Sequence, residues 1–202
     1  MEIDKTSYKL PKTNYYDLVY DKTQIVIGHS GRKDMRHYHG WTRRNFSEYK
    51  KTSAFTVDRD GKVYQHFDPK YFSDFIGHEQ DKCSISITLV NVGWVKYDDL
   101  KKTYEDWLGH TYSDKNNFIK RTWRNKDFWF PYTKEQEDSL FLLVKTLCDD
   151  FGIKKECIGN NVYNEDADIY KGIVFRSNYY SELTDVSPAF KMDLFKEMLN
   201  GR

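Results

Sequence analysis

An Asp60-Gly61 pair set between two runs of two-residue period constrains this chain more than any other feature. Phe55 and Val57 alternate with polar neighbours before it, and Val63, Gln65 and Phe67 keep the period after it. Successive strand side chains face opposite ways and the glycine supplies a left-handed turn, so the pattern predicts an antiparallel hairpin over residues 53–67. A hairpin needs a sheet to belong to, and two other segments offer strands for it. One is Thr23-Gln24-Ile25-Val26-Ile27-Gly28-His29-Ser30, whose continuous β-branched centre suits a strand covered on both faces. The other is residues 84–92, which return to period two.

Helical segments alternate with these strands. Thr133 stands three residues before Gln136 in capping-box spacing, and Leu140, Val144, Leu147 and Phe151 form an apolar stripe that Gly152 ends. A short strand over 156–159, a strand over 172–175 and a last helix over 188–199 follow. Residues 1–22, polar and aromatic with Pro11, read as an N-terminal arm over the surface, leaving 23–202 as one domain. In residues 93–131, Trp94, Trp107, Trp123 and Trp129 sit among Lys, Asp and Asn without a clean period. That segment reads as an irregular insertion with one short helix, pinned to the body by its tryptophans. The expected fold class is α/β, a single domain with a mixed central β-sheet, helices on both faces and an irregular Trp-rich insertion.

Composition narrows the function classes. A length of 202 residues suits one core. Lys and Arg number 32 against 31 Asp and Glu, a net charge of +1 that argues against a general nucleic-acid binder and a membrane-surface protein. Aromatic residues make up 17%, enough for a polar chain to fill a core. Cys83, Cys148 and Cys157 lack metal-ligand spacing and read as reduced, mostly buried thiols of a cytosolic protein. With no apolar signal core and no membrane-spanning run, synthesis is expected in the cytoplasm, and action outside the cell would need release by something other than a signal of its own.

A site is expected where the first long strand ends, at Gly28, His29 and Ser30. His29 is either a hydrogen-bonded strand-end histidine or a functional group, and spacing alone leaves both open. Arg32, Lys33, Arg36, Arg43 and Arg44 then surround Tyr38 and Trp41 in a segment over 31–44 that reads as a loop. Such a loop is either a solvated surface or a clamp for an anion beside an aromatic platform. His37 and His39, two apart, would share a face only on a strand and make a poor metal pair.

Four motifs resemble those of one family. Ser53-Ala54-Phe55-Thr56-Val57-Asp58-Arg59-Asp60-Gly61-Lys62-Val63-Tyr64-Gln65 is similar to the SAHYLIDRDGTIYQL hairpin of N-acetylmuramoyl-L-alanine amidases, a family that includes phage lysozyme-type amidases and peptidoglycan recognition proteins. Residues 84–91 resemble its SIGIELEN strand, 132–153 its helix opening on YTPEQ, and Asp185-Val186-Ser187-Pro188-Ala189-Phe190 its DPGPAF motif. The resemblance implies an α/β sandwich with a groove at one end of the sheet and peptidoglycan or a muropeptide as partner. It also implies a zinc ion held by a histidine at the end of the first strand, a histidine after the long helix and an Asp or Cys before the last helix.

At the matching positions this chain has Gly28, Asn160 and Asp185, with Phe55 for the motif histidine and Leu183 for a lysine. His29 comes one residue late, which on a strand turns it to the opposite face. Zinc needs about three protein ligands and favours nitrogen and sulfur. The first reading is therefore a domain without a cofactor that binds peptidoglycan or a related ligand through His29, Ser30, Arg32, Arg36, Trp41, Asn160, Arg176 and Asp185. A second reading is an active, phage-encoded amidase with zinc and a rearranged site drawn from His29, Asp185 and Arg176, with His37 or His39 moving in. A third is a groove reused for an anionic, nucleotide-like small molecule.

Overall fold

The computed structural model describes residues 2–113, 115 and 117–201. The expected hairpin is present. Strand β1 (Ile3–Asp4) is followed by β2 (Gln24–His29), β3 (Phe55–Val57), β4 (Val63–Gln65) and β5 (Ser84–Leu89), and β3 pairs antiparallel with β4. Gly61 makes the turn possible twice over. Its φ is +84°, and a Cβ there would come within 2.9 Å of the Glu135 carbonyl oxygen. The N-terminal segment does more than cover the surface, since β1 adds a parallel edge to β4 and Leu10, Asn14 and Tyr15 are buried.

Residues 31–44, read as a loop, contain helix α1 (Arg36–Arg43). Helical spacing sends the two histidines apart, so His37 is buried and His39 exposed. A one-turn helix α2 (His78–Lys82) leads into β5.

Residues 94–129 correct the expectation of an irregular insertion with one short helix. They form a second, five-stranded antiparallel sheet of β6 (Trp94–Asp98), β7 (Thr103–Glu105), β8 (Thr111–Tyr112), β9 (Ile119–Trp123) and β10 (Lys126–Trp129), in the order β8-β7-β6-β10-β9. The signal was missed because this sheet is thinly covered. In β9 the first four residues are exposed, so charged side chains occupy positions that hydrophobic alternation would mark in a half-buried strand. The β9–β10 turn uses Arg124 and Asn125, both at positive φ (49° and 58°), in place of the Asn-Gly or Asp-Gly signature. Trp129 is fully buried and its Nε1 donates to the Arg121 carbonyl, bracing this sheet internally. Trp107 does reach the body, donating from Nε1 to the Gly31 carbonyl at 2.9 Å.

Helix α3 (Lys134–Phe151) starts at Thr133, whose hydroxyl accepts from the Gln136 amide, and ends at Gly152 in the left-handed region. Only half of the capping box forms. The Gln136 side chain turns inward and donates to the Val57 and Val90 carbonyls. The apolar stripe of α3 packs into the same core as β2, and each fully buried side chain there contributes roughly 1.5–3 kcal/mol. The expected strand over 156–159 is reduced to one bridge between Cys157 and Ile173. Strand β11 (Gly172–Phe175) runs directly into the one-turn helix α4 (Arg176–Tyr179), and the last helix α5 (Met192–Leu199) begins later than expected. Cys148 is buried, Cys157 half-buried and Cys83 exposed.

The first sheet has the order β1-β4-β3-β5-β2-β11. Strand β2 runs parallel to both β5 and β11, and Ile25, Val26 and Ile27 are completely buried, as a central strand in a covered sheet requires.

Candidate functional site at the ends of the central strands

Because β2, β5 and β11 are parallel, their carboxyl ends converge. Gly28 lies opposite Thr88 and His29 opposite Leu89, while Phe175 hands the chain to Arg176. Asp185 is tied beneath this end. Its carbonyl accepts from the Ser177 amide at 2.8 Å, and its Oδ2 accepts from the His29 amide at 3.1 Å and from Arg176 Nη1 at 3.2 Å. The Asp185 carboxylate is nearly inaccessible and Arg176 is about a quarter exposed.

Gly28 is held against this pair. A Cβ on Gly28 would lie 2.5 Å from both Arg176 Cδ and Asp185 Oδ2. The aliphatic stem of Arg176 thus occupies the space that a side chain at position 28 would need. His29 follows without any register shift in β2, so its ring goes elsewhere. It lies against Gly93, with Nδ1 3.2 Å from the Tyr132 hydroxyl. Burial lowers the pKa of His29, Asp185 offsets part of that effect and Arg176 adds to it. Tyr132 is itself fixed, accepting from the Ser187 amide at 3.3 Å.

Beside this group opens a cavity of about 240 Å³. It brings together His29, Ser30, Arg32, Arg36, Trp41 and Arg176, named from sequence as ligand-binding, and also His37, named for the rearranged site. Asp185 sits under it as the partner of Arg176. Asn160 is not brought in: it is exposed, and its side-chain oxygen accepts from the Val162 amide. Arg43 and His39 are also exposed and do not line the cavity, while the Tyr38 hydroxyl is bound to the Lys9 carbonyl. Arg44, named in the basic run of the anion-clamp reading, lines the cavity as well, whereas sequence reasoning did not name Lys51, Phe75 or Thr88, nor place Trp107 at this wall, because they come from separate loops and strands.

The cations are held on aromatic rings. The guanidinium of Arg176 lies 4.7 Å from the centre of Phe75, that of Arg32 4.8 Å from Trp107, and that of Arg44 5.2 Å from Tyr49. Arg36 differs, chelating Asp34 through Nε and Nη2 at 2.9 Å. The second sheet also reaches this end elsewhere, where Arg124 donates to the carbonyls of Ser177 and Tyr180 around α4.

Behind the cavity lies a buried network. Thr56 Oγ1 is 2.7 Å from His66 Nε2 and 3.3 Å from His37 Nε2, and His66 Nδ1 is 2.7 Å from the Tyr8 carbonyl. Burial pushes His66 down to about 4 and His37 down to about 3, the latter helped by the neighbouring His66. Among the described residues no three His, Cys, Asp or Glu side chains gather as a metal-binding group.

Residues 19–168 match the family model described as N-acetylmuramoyl-L-alanine amidase. The chain belongs to that family. The amidase fold is equally evident in solved structures. N-acetylmuramoyl-L-alanine amidase LysC from Clostridium intestinale URNW is 12% identical and superposes with a TM-score of 0.58, covering 99% of this chain and 98% of its own. A mutant endolysin from Bacillus subtilis is 16% identical with a TM-score of 0.56, covering 98% and 99%. Drosophila peptidoglycan recognition protein SD is 11% identical with a TM-score of 0.53, covering 96% and 93%. No curated protein sequence matches the chain. None of the helices among the described residues is long and apolar enough to cross a membrane.

Proposed function

We propose that this amidase-family domain binds peptidoglycan fragments in the groove at the carboxyl ends of β2, β5 and β11 and does not cleave them with zinc. The supporting observation is the Gly28–Arg176–Asp185 cluster. Gly28 offers no ligand and has no room for one, and Asp185 already accepts from a guanidinium and a backbone amide. Asn160 lies outside the cavity, and His29 turns toward Tyr132. These residues do not fit zinc, which needs about three protein ligands and would be repelled by the fixed cation of Arg176. Lacking such an ion, the groove has no water of lowered pKa to attack an amide. What it retains is binding chemistry: arginine forks, hydroxyls and aromatic faces. Synthesis in the cytoplasm with release by lysis accords with the endolysins among the structural neighbours.

The test is a pull-down with insoluble peptidoglycan, paired with an assay for newly released amino groups in the presence and absence of added zinc. Retention on peptidoglycan with no release is expected. Zinc-dependent release, with about one zinc per chain that falls in His29→Ala, would restore the amidase reading.

A further inference from the structure

The cavity carries more positive charge than its chain explains. Arg32, Arg36, Arg44, Lys51 and Arg176 all line it, and no Asp or Glu among the described residues does; Arg36 is paired with Asp34 and Arg176 with Asp185 behind the wall, which leaves the charges of Arg32, Arg44 and Lys51 in a protein whose net charge is only +1. Converging cations repel one another, so gathering them opposes folding unless an anion joins them. Among the described residues, no carboxylate pairs with Arg32, Arg44 or Lys51. Three of the guanidiniums are seated on aromatic rings, and although Arg44 Nη1 donates to the Tyr49 hydroxyl and Arg176 Nη1 to Asp185, a guanidinium has five N–H donors and the others remain for oxygen acceptors.

A second observation points the same way. Thr88 is 1% exposed, lines this cavity, and its hydroxyl has no hydrogen-bond partner among the described residues. Arg176 Nε is likewise buried without a partner. Buried polar atoms ordinarily find partners, so two orphans on one cavity wall mark a place where ligand oxygens belong.

We propose that this pocket binds the phosphoryl group of a small ligand, with Arg32, Arg44 and Arg176 as the clamp and the Thr88 hydroxyl as an additional donor. A single carboxylate carries one charge on two oxygens and fills one arginine fork. A phosphoryl group carries up to two charges on three terminal oxygens and can engage several forks together. Trp41 and Trp107 on the same wall supply flat apolar surface for whatever the phosphoryl is attached to. The inference rests on the groove being a binding site without a metal, and it holds whether or not that groove also retains peptidoglycan.

Calorimetry and thermal melts with inorganic pyrophosphate, ADP and muramyl dipeptide, all at matched ionic strength, test it. Pyrophosphate or ADP should raise the melting temperature, since a ligand of the folded state alone stabilises it. Arg44→Ala and Thr88→Val should each weaken that binding, Arg44→Ala by roughly tenfold or more, while Lys126→Ala on the second sheet should not. A larger response to ADP than to pyrophosphate would assign the aromatic wall to a base, and equal responses would leave the phosphoryl group as the whole determinant; both support the clamp. Stabilisation by chloride or sulfate equal to that by pyrophosphate would overturn it. So would binding of muramyl dipeptide that depends on Arg44 without any phosphate binding, and that outcome would leave the peptidoglycan reading standing. Loss of peptidoglycan retention with phosphate binding intact would sink the peptidoglycan reading and spare this one.

Discussion

The two sheets of this molecule are stabilised by different means. The six-stranded sheet is covered, with Ile25, Val26, Ile27, Ile85, Ile87, Leu140, Leu143 and Val174 essentially inaccessible. The five-stranded sheet has a small buried cluster of Val92, Val95 and Phe130, widened by the partly buried rings of Tyr104, Tyr112, Phe118 and Phe128. Outside that cluster it has the buried Trp129 and cations laid over rings, as where Lys126 sits 3.7 Å from the centre of Trp94. Apolar burial stabilises roughly in proportion to area, whereas exposed cation–π contacts contribute only ~0.5–1 kcal/mol each. The first sheet should therefore set global stability, and the second should open at lower free energy.

The largest effect should come from the covered sheet. Leu140→Ala removes a fully buried side chain from α3 and should cost about 2–5 kcal/mol, read as a lower urea midpoint. Phe118→Ala, which loses the tilted ring contact with Tyr104 at 4.2 Å between centroids, should weaken hydrogen-exchange protection in β6–β10 far more than in β2 and β5. Equal loss of protection in both sheets would mean that they unfold as one unit.

The same contrast explains what the sequence disclosed. Buried runs and caps leave local marks, so β2, the β3–β4 hairpin, α3 and β11 were legible from Ile25-Val26-Ile27, Asp60-Gly61, Thr133 and residues 172–175. An exposed sheet leaves few, because Lys120, Arg121 and Thr122 follow no hydrophobic period and Arg124-Asn125 is an uncommon hairpin turn. At the site, Gly28 before His29 at the end of β2 could be read directly from the sequence. That Arg176 would fill the space over Gly28 could not, since the two are separated by most of the chain and meet only because β2 and β11 are neighbours. Asn160 was named by alignment to a motif, yet its side chain is exposed and capped by the Val162 amide, while the buried Asn178 side chain ties down the Asn160 and Val162 carbonyls.

Acid should separate the sheets next. His66 and His37 belong to the covered side and are held neutral, with pKa values of about 4 and about 3 against an ordinary 6.5. As pH falls below 6.5 the unfolded chain takes up protons that the folded protein refuses, so stability declines progressively toward pH 4. The loss from His66 alone is on the order of 3 kcal/mol. Asp81, raised by burial to about 7, acts with the opposite sign over the same interval, because its folded state prefers the proton. Unfolding of Asp81→Asn protein between pH 7 and 4 removes that offset and should show the decline plainly. In the second sheet, burial would raise Asp106, but hydrogen bonds from Tyr112 and His110 prevail and hold it low. Its contribution is present above the ordinary carboxylate range and lost only below it. Exchange protection that fails first around Asp106 at pH 5 would contradict this order.

A smaller effect is expected at Gly28. Gly28→His forces a Cβ into Arg176 Cδ and Asp185 Oδ2, and overpacking of this kind costs about 1–3 kcal/mol. Adding Arg176→Ala removes the obstructing stem, so the double variant should melt above Gly28→His alone, a non-additivity expected only of residues in contact. Simple additivity of the two losses would show that the stem is not what excludes a side chain there.

The smallest effect on stability belongs to Trp107, one of the contacts that join the two regions. Trp107 is half exposed, donates to the Gly31 carbonyl and lies under the Arg32 guanidinium. Trp107→Ala removes one hydrogen bond near the surface and one exposed cation–π contact, together about 1 kcal/mol, which in a chain of this size corresponds to a shift of only a few degrees in Tm. Its local consequence should be larger than its global one. Gly31 has φ +63°, and without the indole the loop that carries Arg32 loses its anchor to the second sheet. Backbone amide relaxation should therefore show increased motion confined to residues 30–35, with β9 and β10 unchanged because Trp129 and Trp123 brace them independently. A Tm loss as large as that of Leu140→Ala would overturn the division into a covered sheet that sets stability and an exposed one that walls the cavity.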